Sequence, residues 1–192
     1  SRGLGDVYKR QGIPAARGWR LDPRHADTFA FKDRVLRMFS EQLGILGWAP
    51  EHVAPGALPL VPERVTIKRI TNALTNAVFF VGYDAASLPA PPTVLLRVYG
   101  AGSEALLSRR AELLILHTLS SLYEIGPHIL GTFANGRVEE FYECYSIGQE
   151  GMRDLGTPRA EGPAHWVARR MREMHEVPLD VMRTILEPVS YT

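Results

Sequence analysis

The sequence predicts an α+β fold in which five short strands form an antiparallel sheet and helices pack beside it. Three observations carry that expectation. Strand-like apolar runs recur along the chain, one long helical pattern falls between the third and fourth of them, and an Asn-Gly pair joins the last two. With 192 residues, 45% of them hydrophobic, the chain is long enough for one ordinary domain with a real core.

The first element is an amphipathic helix from Thr28 to Ile45, where Phe31, Val35, Met38, Phe39 and Leu43 share one face and Lys32, Asp33, Arg34, Arg37 and Glu41 lie elsewhere. Pro50, Pro55, Gly56, Pro59 and Pro62 break any regular structure after it. Strands follow at Arg64 to Ile70, where Val65 and Ile67 alternate with Thr66 and Lys68, at Ala77 to Tyr83, and at Thr93 to Tyr99 beyond a Pro-rich loop. Ala105, Ser108, Glu112, Leu116 and Leu119 then recur at helical spacing, and Gly126-Pro127 supplies the stop. Ile129 to Phe133 and Arg137 to Tyr142 are the last two strands, joined by Ala134-Asn135-Gly136. A final helix carries Ala164, Val167, Ala168, Met171 and Met174 on one face, with Pro163 near its start and Pro178 past its end.

Charge and composition remove several function classes. Basic and acidic side chains number 22 and 21, a formal net charge of +1, with no basic stripe to neutralise nucleic-acid phosphates. The one cysteine, Cys144, gives no disulfide framework and no zinc-ligand spacing, and it lacks the neighbouring His and helix start that activate a thiol. A reducing, cytoplasmic setting fits best. No apolar run is long enough to cross a bilayer and the first residues lack a signal-peptide core. Residues 1–11 and 188–192 show no pattern continuous with their neighbours and read as non-native tails. His25, His52, His117, His128, His165 and His175 form no metal or triad motif and read as structural. Trp166, Met171 and Met174 have the spacing of ordinary helix packing, and Arg169, Arg170 and Arg172 that of a solvated charged face.

Five strands with a single helix between the third and fourth is the plan of a kinase small lobe, in which the first hairpin covers the phosphates and the fifth strand leads to the hinge. Arg97 lies mid-strand among bulky apolar neighbours, where a cation needs an anionic partner. Glu112 shares a helical face with Leu116 and Leu119 and points to the sheet, so the two stand where kinases orient ATP phosphates. The other possibility is a structural ion pair without a ligand, with Arg109 or Arg110 meeting Glu112 from solvent. The loop Thr71 to Asn76 offers hydroxyls and amides to a phosphate tail, or is a plain polar hairpin; it contains neither the Gly-rich kinase sequence nor a Walker sequence.

The ordered strings Ile70-Thr-Asn-Ala-Leu-Thr-Asn-Ala-Val-Phe-Phe80, Val94-Leu-Leu-Arg-Val-Tyr-Gly100, Arg110-Ala-Glu-Leu113, Ile125-Gly-Pro127, Leu130-Gly-Thr-Phe-Ala-Asn-Gly-Arg-Val-Glu-Glu-Phe141 and Ala168-Arg-Arg-Met-Arg-Glu-Met-His175 resemble the choline/ethanolamine kinase family, most closely its fungal choline kinases. The resemblance covers residues 30 to 180 and implies a protein-kinase-like fold. It also implies ATP-dependent phosphorylation of the hydroxyl of choline or ethanolamine, with magnesium, on the way to phosphatidylcholine or phosphatidylethanolamine. By the same resemblance Thr75 and Asn76 match the phosphate-covering loop, Arg97 the strand arginine that meets ATP phosphates, Glu112 the helix carboxylate, and Glu140 to Tyr142 the hinge that meets adenine.

Departures from the family pattern are Asn72 in place of a usual Gly, Glu140 in place of a frequent Gln, and the unusual Cys144-Tyr-Ser after the hinge. The family's His-Asn-Asp catalytic loop and its metal-binding Asp followed by Phe-Glu are not in this sequence. The expectation is therefore a nucleotide-binding lobe at 12–142, a hinge-following loop with the start of a truncated large lobe at 143–187, and no turnover by this chain alone. An unfilled lobe interface would leave an apolar patch around Met171 and Ile185 exposed. A kinase of another small alcohol, resembling aminoglycoside phosphotransferases, and a non-catalytic kinase-like binding module are the alternatives.

Overall fold

The structure, a computed structural model, describes residues 12–49, 59–71, 76–85, 90–100, 109–157, 160–178 and 180–181. The chain divides into two compact units, residues 1–110 with 127–141 and residues 111–126 with 142–192. The expected tails at 1–11 and 188–192, and Asn72, Thr75, Ala105, Ser108 and Ile185, lie outside the described residues.

The first unit is built on a six-stranded sheet. Five of its strands are the expected ones: β2 (Val65–Thr71), β3 (Asn76–Tyr83), β4 (Val94–Tyr99), β5 (Ile129–Phe133) and β6 (Gly136–Glu140). A sixth, β1 (Ala15–Ala16), was not expected; it adds to the edge in parallel to β5, giving the order β1-β5-β6-β4-β3-β2. All other neighbours are antiparallel.

The alternation within each strand sorts side chains to two faces. Val65, Phe79, Val81, Val94, Leu96, Val98 and Val138 are buried on one face in a single core with residues of the amino-terminal helix α1 (Phe29–Arg37). Fully burying each such side chain stabilises the fold by about 1.5–3 kcal/mol. Thr28 caps α1, its Oγ1 accepting from the Phe31 N–H at 3.2 Å. The helix does not continue regularly to Ile45 as its apolar spacing suggests. It widens into a π turn at Met38–Gln42, with the Leu43 N–H donating to the Met38 carbonyl at 3.0 Å, and Gly44 then takes φ +58°. The wider turn leaves Met38, Phe39 and Leu43 all buried, and the left-handed glycine turns the chain out of the helix. Trp48, buried beyond it, packs edge-on against Phe39 and Tyr83 and donates its indole N–H to the Pro92 carbonyl at 2.9 Å.

The β5–β6 hairpin forms where Asn-Gly predicted it, but for another reason. Phe133 pairs with Gly136, so the loop is Ala134–Asn135, and neither residue has positive φ. Asn135 instead clamps the backbone of Leu21: its Oδ1 accepts from the Leu21 N–H at 3.0 Å and its Nδ2 donates to the Leu21 carbonyl at 2.8 Å. Gly136 is needed for close approach, since a Cβ there would overlap the Phe133 ring and the Arg97 carbonyl oxygen.

The second unit holds most of helix α2 (Arg109–Tyr123), a short hairpin of β7 (Gly156–Thr157) with β8 (Ala160–Glu161), and helix α3 (Pro163–His175). Helix α2 ends before the expected Gly126-Pro127, at a left-handed Glu124 with φ +53°. Its buried residues are Leu113, Thr118 and Ser120, while Glu112, Leu116 and Leu119 are half-buried. Ordinary packing of the α3 stripe is not met, since none of its residues is buried and Trp166, Met171 and Met174 are 57%, 53% and 49% exposed, whereas the exposure of Met171 agrees with the expected apolar patch. Its arginines are not simply solvated, because Arg170 pairs with Glu173, Arg172 with Glu176 and Arg169 with Glu161. Among the described residues no helix is long and apolar enough to cross a membrane.

Candidate functional site

The face of the sheet opposite the core is polar at its centre. On β4 the core-facing Val94, Leu96 and Val98 alternate with Leu95, Arg97 and Tyr99. Register places Arg97 opposite Arg137 of β6 and Val78 of β3, Tyr99 opposite Asn76, and Leu95 opposite Glu139. Five polar side chains thus meet on one face of three adjacent strands.

Two guanidiniums directly across an antiparallel pair repel, and the sheet resolves this with a carboxylate between them. Glu139, 5% exposed, accepts through Oε1 from the Nε–H of Arg137, which is 3% exposed. Arg137 also donates from Nη1 to the Tyr99 hydroxyl at 2.8 Å. The same Oε1 lies 3.7 Å from Nε of Arg97, within ion-pair range but beyond a hydrogen bond. Arg97 is the outer member, its side chain 29% exposed, and its buried Nε has no hydrogen-bond acceptor. The Arg109 guanidinium stacks over the Tyr99 ring at 4.0 Å. On this face of the two strands, two guanidiniums stand against one carboxylate.

The other expected site residues are distributed as follows. Asn76 starts β3 on the Arg97 face, and its Oδ1 is buried without a hydrogen-bond partner. Glu140 ends β6 opposite Val94, so its side chain is on the other face from Arg97. Its N–H donates to the His128 carbonyl at 2.9 Å and its carboxylate accepts from the His128 N–H at 3.4 Å. Next to it, Phe141 packs edge-on against Phe80 of the Arg97 face at 4.7 Å between centroids. Glu112 lies in the first turn of α2 and Tyr142, half exposed, donates its hydroxyl to the Gly126 carbonyl at 3.4 Å; both belong to the second unit.

Arg137, Glu139 and Tyr99 were not singled out from the sequence. The signal was there in Gly136–Glu140, where a charged residue at every second position marks one polar strand face. Chemically, the arrangement presents an arginine with an uncommitted buried N–H on a rigid strand, suited to hold an oxyanion by charge-assisted hydrogen bonds. Among the described residues no group of three or more His, Cys, Asp or Glu side chains could hold a metal ion.

Comparison with known proteins decides the family. Residues 67–189 match the family model described as choline/ethanolamine kinase, well over half of the chain. The chain belongs to the choline/ethanolamine kinase family. Choline kinase of Schizosaccharomyces pombe is 34% identical over 162 residues, which cover 82% of this chain and 31% of that protein. Ethanolamine kinase of Saccharomyces cerevisiae is 28% identical over 177 residues, covering 90% of this chain and 30% of that protein. The chain thus spans about a third of the length of these relatives. Choline kinase from Cryptosporidium parvum Iowa II superposes with a TM-score of 0.51 at 19% identity, over 83% of this chain and 38% of that one. That likeness bears on fold alone, and it agrees with the α+β, kinase-like architecture described above. The family match includes β4, β6 and the whole Arg97 group.

Proposed function

We propose that this chain is the nucleotide-holding part of an ATP-dependent kinase that phosphorylates the hydroxyl of choline or ethanolamine. The observation that carries this is the Arg97 Nε–H, buried and without an acceptor on a strand that is otherwise fully paired. An unmet buried donor costs about 1–3 kcal/mol, and a phosphate oxygen seated against the guanidinium would satisfy it. That unmet donor fits the charged tail of a nucleotide better than it fits a closed structural ion pair.

In this assignment, carried over from the family motifs, Arg97 holds phosphate oxygens, Thr75 and Asn76 belong to the phosphate-covering loop, and Glu140 and Tyr142 belong to the hinge sequence that meets adenine. Phe80 and Phe141 supply an apolar wall near that end of the sheet. Glu112 serves as the orienting carboxylate of the helix. ATP supplies the transferred phosphoryl group: the acceptor oxygen loses its proton and bonds to the γ-phosphorus as ADP leaves. What this chain's residues contribute is binding, orientation and charge neutralisation.

The groups that would take the proton and hold magnesium have no counterpart among these 192 residues, where neither a His-Asn-Asp nor an Asp-Phe-Glu sequence occurs. This chain by itself is therefore expected to bind nucleotide and not to turn over. The product, a phosphorylated amino alcohol, is of the class that phospholipid synthesis consumes, and the single cysteine suits a reducing, cytoplasmic compartment.

Calorimetric titration with Mg-ATP of the chain and of Arg97→Ala tests the proposal. Saturable binding that is lost in the folded variant supports it. Equal binding by both would assign the phosphates elsewhere.

A further inference from the structure

Arg97 is the partly exposed end of a charge relay whose inner members are buried, and that difference in burial suggests a division of labour. Arg137 is fixed: its Nε is bonded to Glu139 and its Nη1 to the Tyr99 hydroxyl, with almost no solvent access. Glu139 is fixed in turn by Arg137 and by burial. Arg97 has no hydrogen bond to its guanidinium Nε, and the one carboxylate near it in the sheet is Glu139 at 3.7 Å. Because Arg97 stands in register with Arg137, removal of the shared carboxylate would leave two like charges facing each other across one ladder position. The less buried of the two would swing away from the sheet.

We propose that Glu139 is a positioning residue, which holds the Arg97 guanidinium against the strand while leaving its N–H groups free for an oxyanion, with Arg137 and Tyr99 as its anchor. This rests on the reading of Arg97 as a phosphate ligand. It makes the shared carboxylate a part of the site although it never touches the nucleotide.

The sign of one substitution separates positioning from simple electrostatics. Glu139→Gln keeps the shape and removes a negative charge next to the phosphates. If Glu139 acted only through its charge, the variant would bind polyanions more tightly. If it positions Arg97, the variant binds more weakly, by about fivefold to thirtyfold, the span expected for strongly coupled members of one charged network.

The experiment is calorimetric titration of the chain with Mg-ATP and with inorganic tripolyphosphate, for wild type, Glu139→Gln, Arg97→Ala and the double variant. Weaker binding of both ligands by Glu139→Gln, with no further loss when it is added to Arg97→Ala, is the expected result. Unchanged or tighter binding by Glu139→Gln, or an equal loss in the Arg97→Ala background, overturns the proposal and leaves the Arg97 assignment standing. No binding by folded wild type sinks both. Should Glu139→Gln not fold, Tyr99→Phe removes only the outer anchor of Arg137 and is expected to weaken tripolyphosphate about twofold to fivefold, again through the shared network; no change would count against the relay.

Discussion

Replacing Asn135 by Ala is expected to loosen the amino-terminal segment from the sheet. Two hydrogen bonds disappear, Leu21 N–H to Oδ1 at 3.0 Å and Nδ2 to the Leu21 carbonyl at 2.8 Å, and they join segments far apart in sequence. Leu21 is 3% exposed, so its backbone groups are poorly placed to recover both bonds from water. At about 0.5–1.5 kcal/mol per bond, with part of the cost of an unmet buried group added, the loss comes to about 2–3 kcal/mol. The Asn135 carbonyl still accepts from Tyr99 N–H, so the hairpin itself survives. In urea melts followed by tryptophan fluorescence, a slope of about 2 kcal/mol/M would turn this loss into a midpoint about 1 M lower. A midpoint change below about 0.25 M for Asn135→Ala, corresponding to only about 0.5 kcal/mol, would refute the clamp.

Gly136→Val puts a branched side chain where a single Cβ already overlaps the Phe133 ring and the Arg97 carbonyl; a loss of about 1–3 kcal/mol is expected in the same urea assay, and tolerance of valine would contradict the described register. Trp48→Phe removes the bond to Pro92 and leaves a gap among Phe39 and Tyr83. Thermal melts should show about 2–3 kcal/mol lost, and a neutral result would mean that Trp48 is not at the core. Met171→Gln and Trp166→Gln on α3 should change stability by no more than about 0.5 kcal/mol because both side chains are over half exposed; a loss above 1 kcal/mol would show a packing partner on that face.

How far the sequence could be read depended on whether each feature was local. The five main strands of the first unit were legible because Val65 to Tyr83 and Val94 to Tyr99 carry their own β-rich patterns, and the hairpin because Asn135-Gly136 punctuates two such runs. Strand β1 was not, since two alanines carry no periodicity and their partner, β5, lies far along the chain. The end of α1 was missed because apolar spacing continues through a π turn as readily as through an α-helix. Helical periodicity likewise names the apolar stripe of α3 without saying whether anything covers it, and Met171 and Met174 prove exposed.

In the site, Arg97 stood out because a cation among Val, Leu and Tyr in a strand demands an explanation. Glu139, its carboxylate neighbour within the sheet, did not stand out, because which acid meets Arg97 depends on the register of β4 against β6. Sequence spacing pointed to Glu112 on the helix, whose orienting role remains part of the proposed assignment. Asn76 rests on the family motif, and the structure places it at the start of β3 on the Arg97 face.

The central claim is that the uncommitted Nε–H of Arg97 takes a nucleotide phosphate. The most direct measurement is the nuclear magnetic resonance of arginine side chains in the chain labelled with 15N-arginine, with Arg97→Lys used to assign the resonance. The account predicts that the Arg97 Nε–Hε signal moves saturably as Mg-ATP is added, while that of Arg137, already bonded to Glu139, holds its position. Saturable binding of Mg-ATP that shifts other arginines and leaves Arg97 unmoved would contradict it.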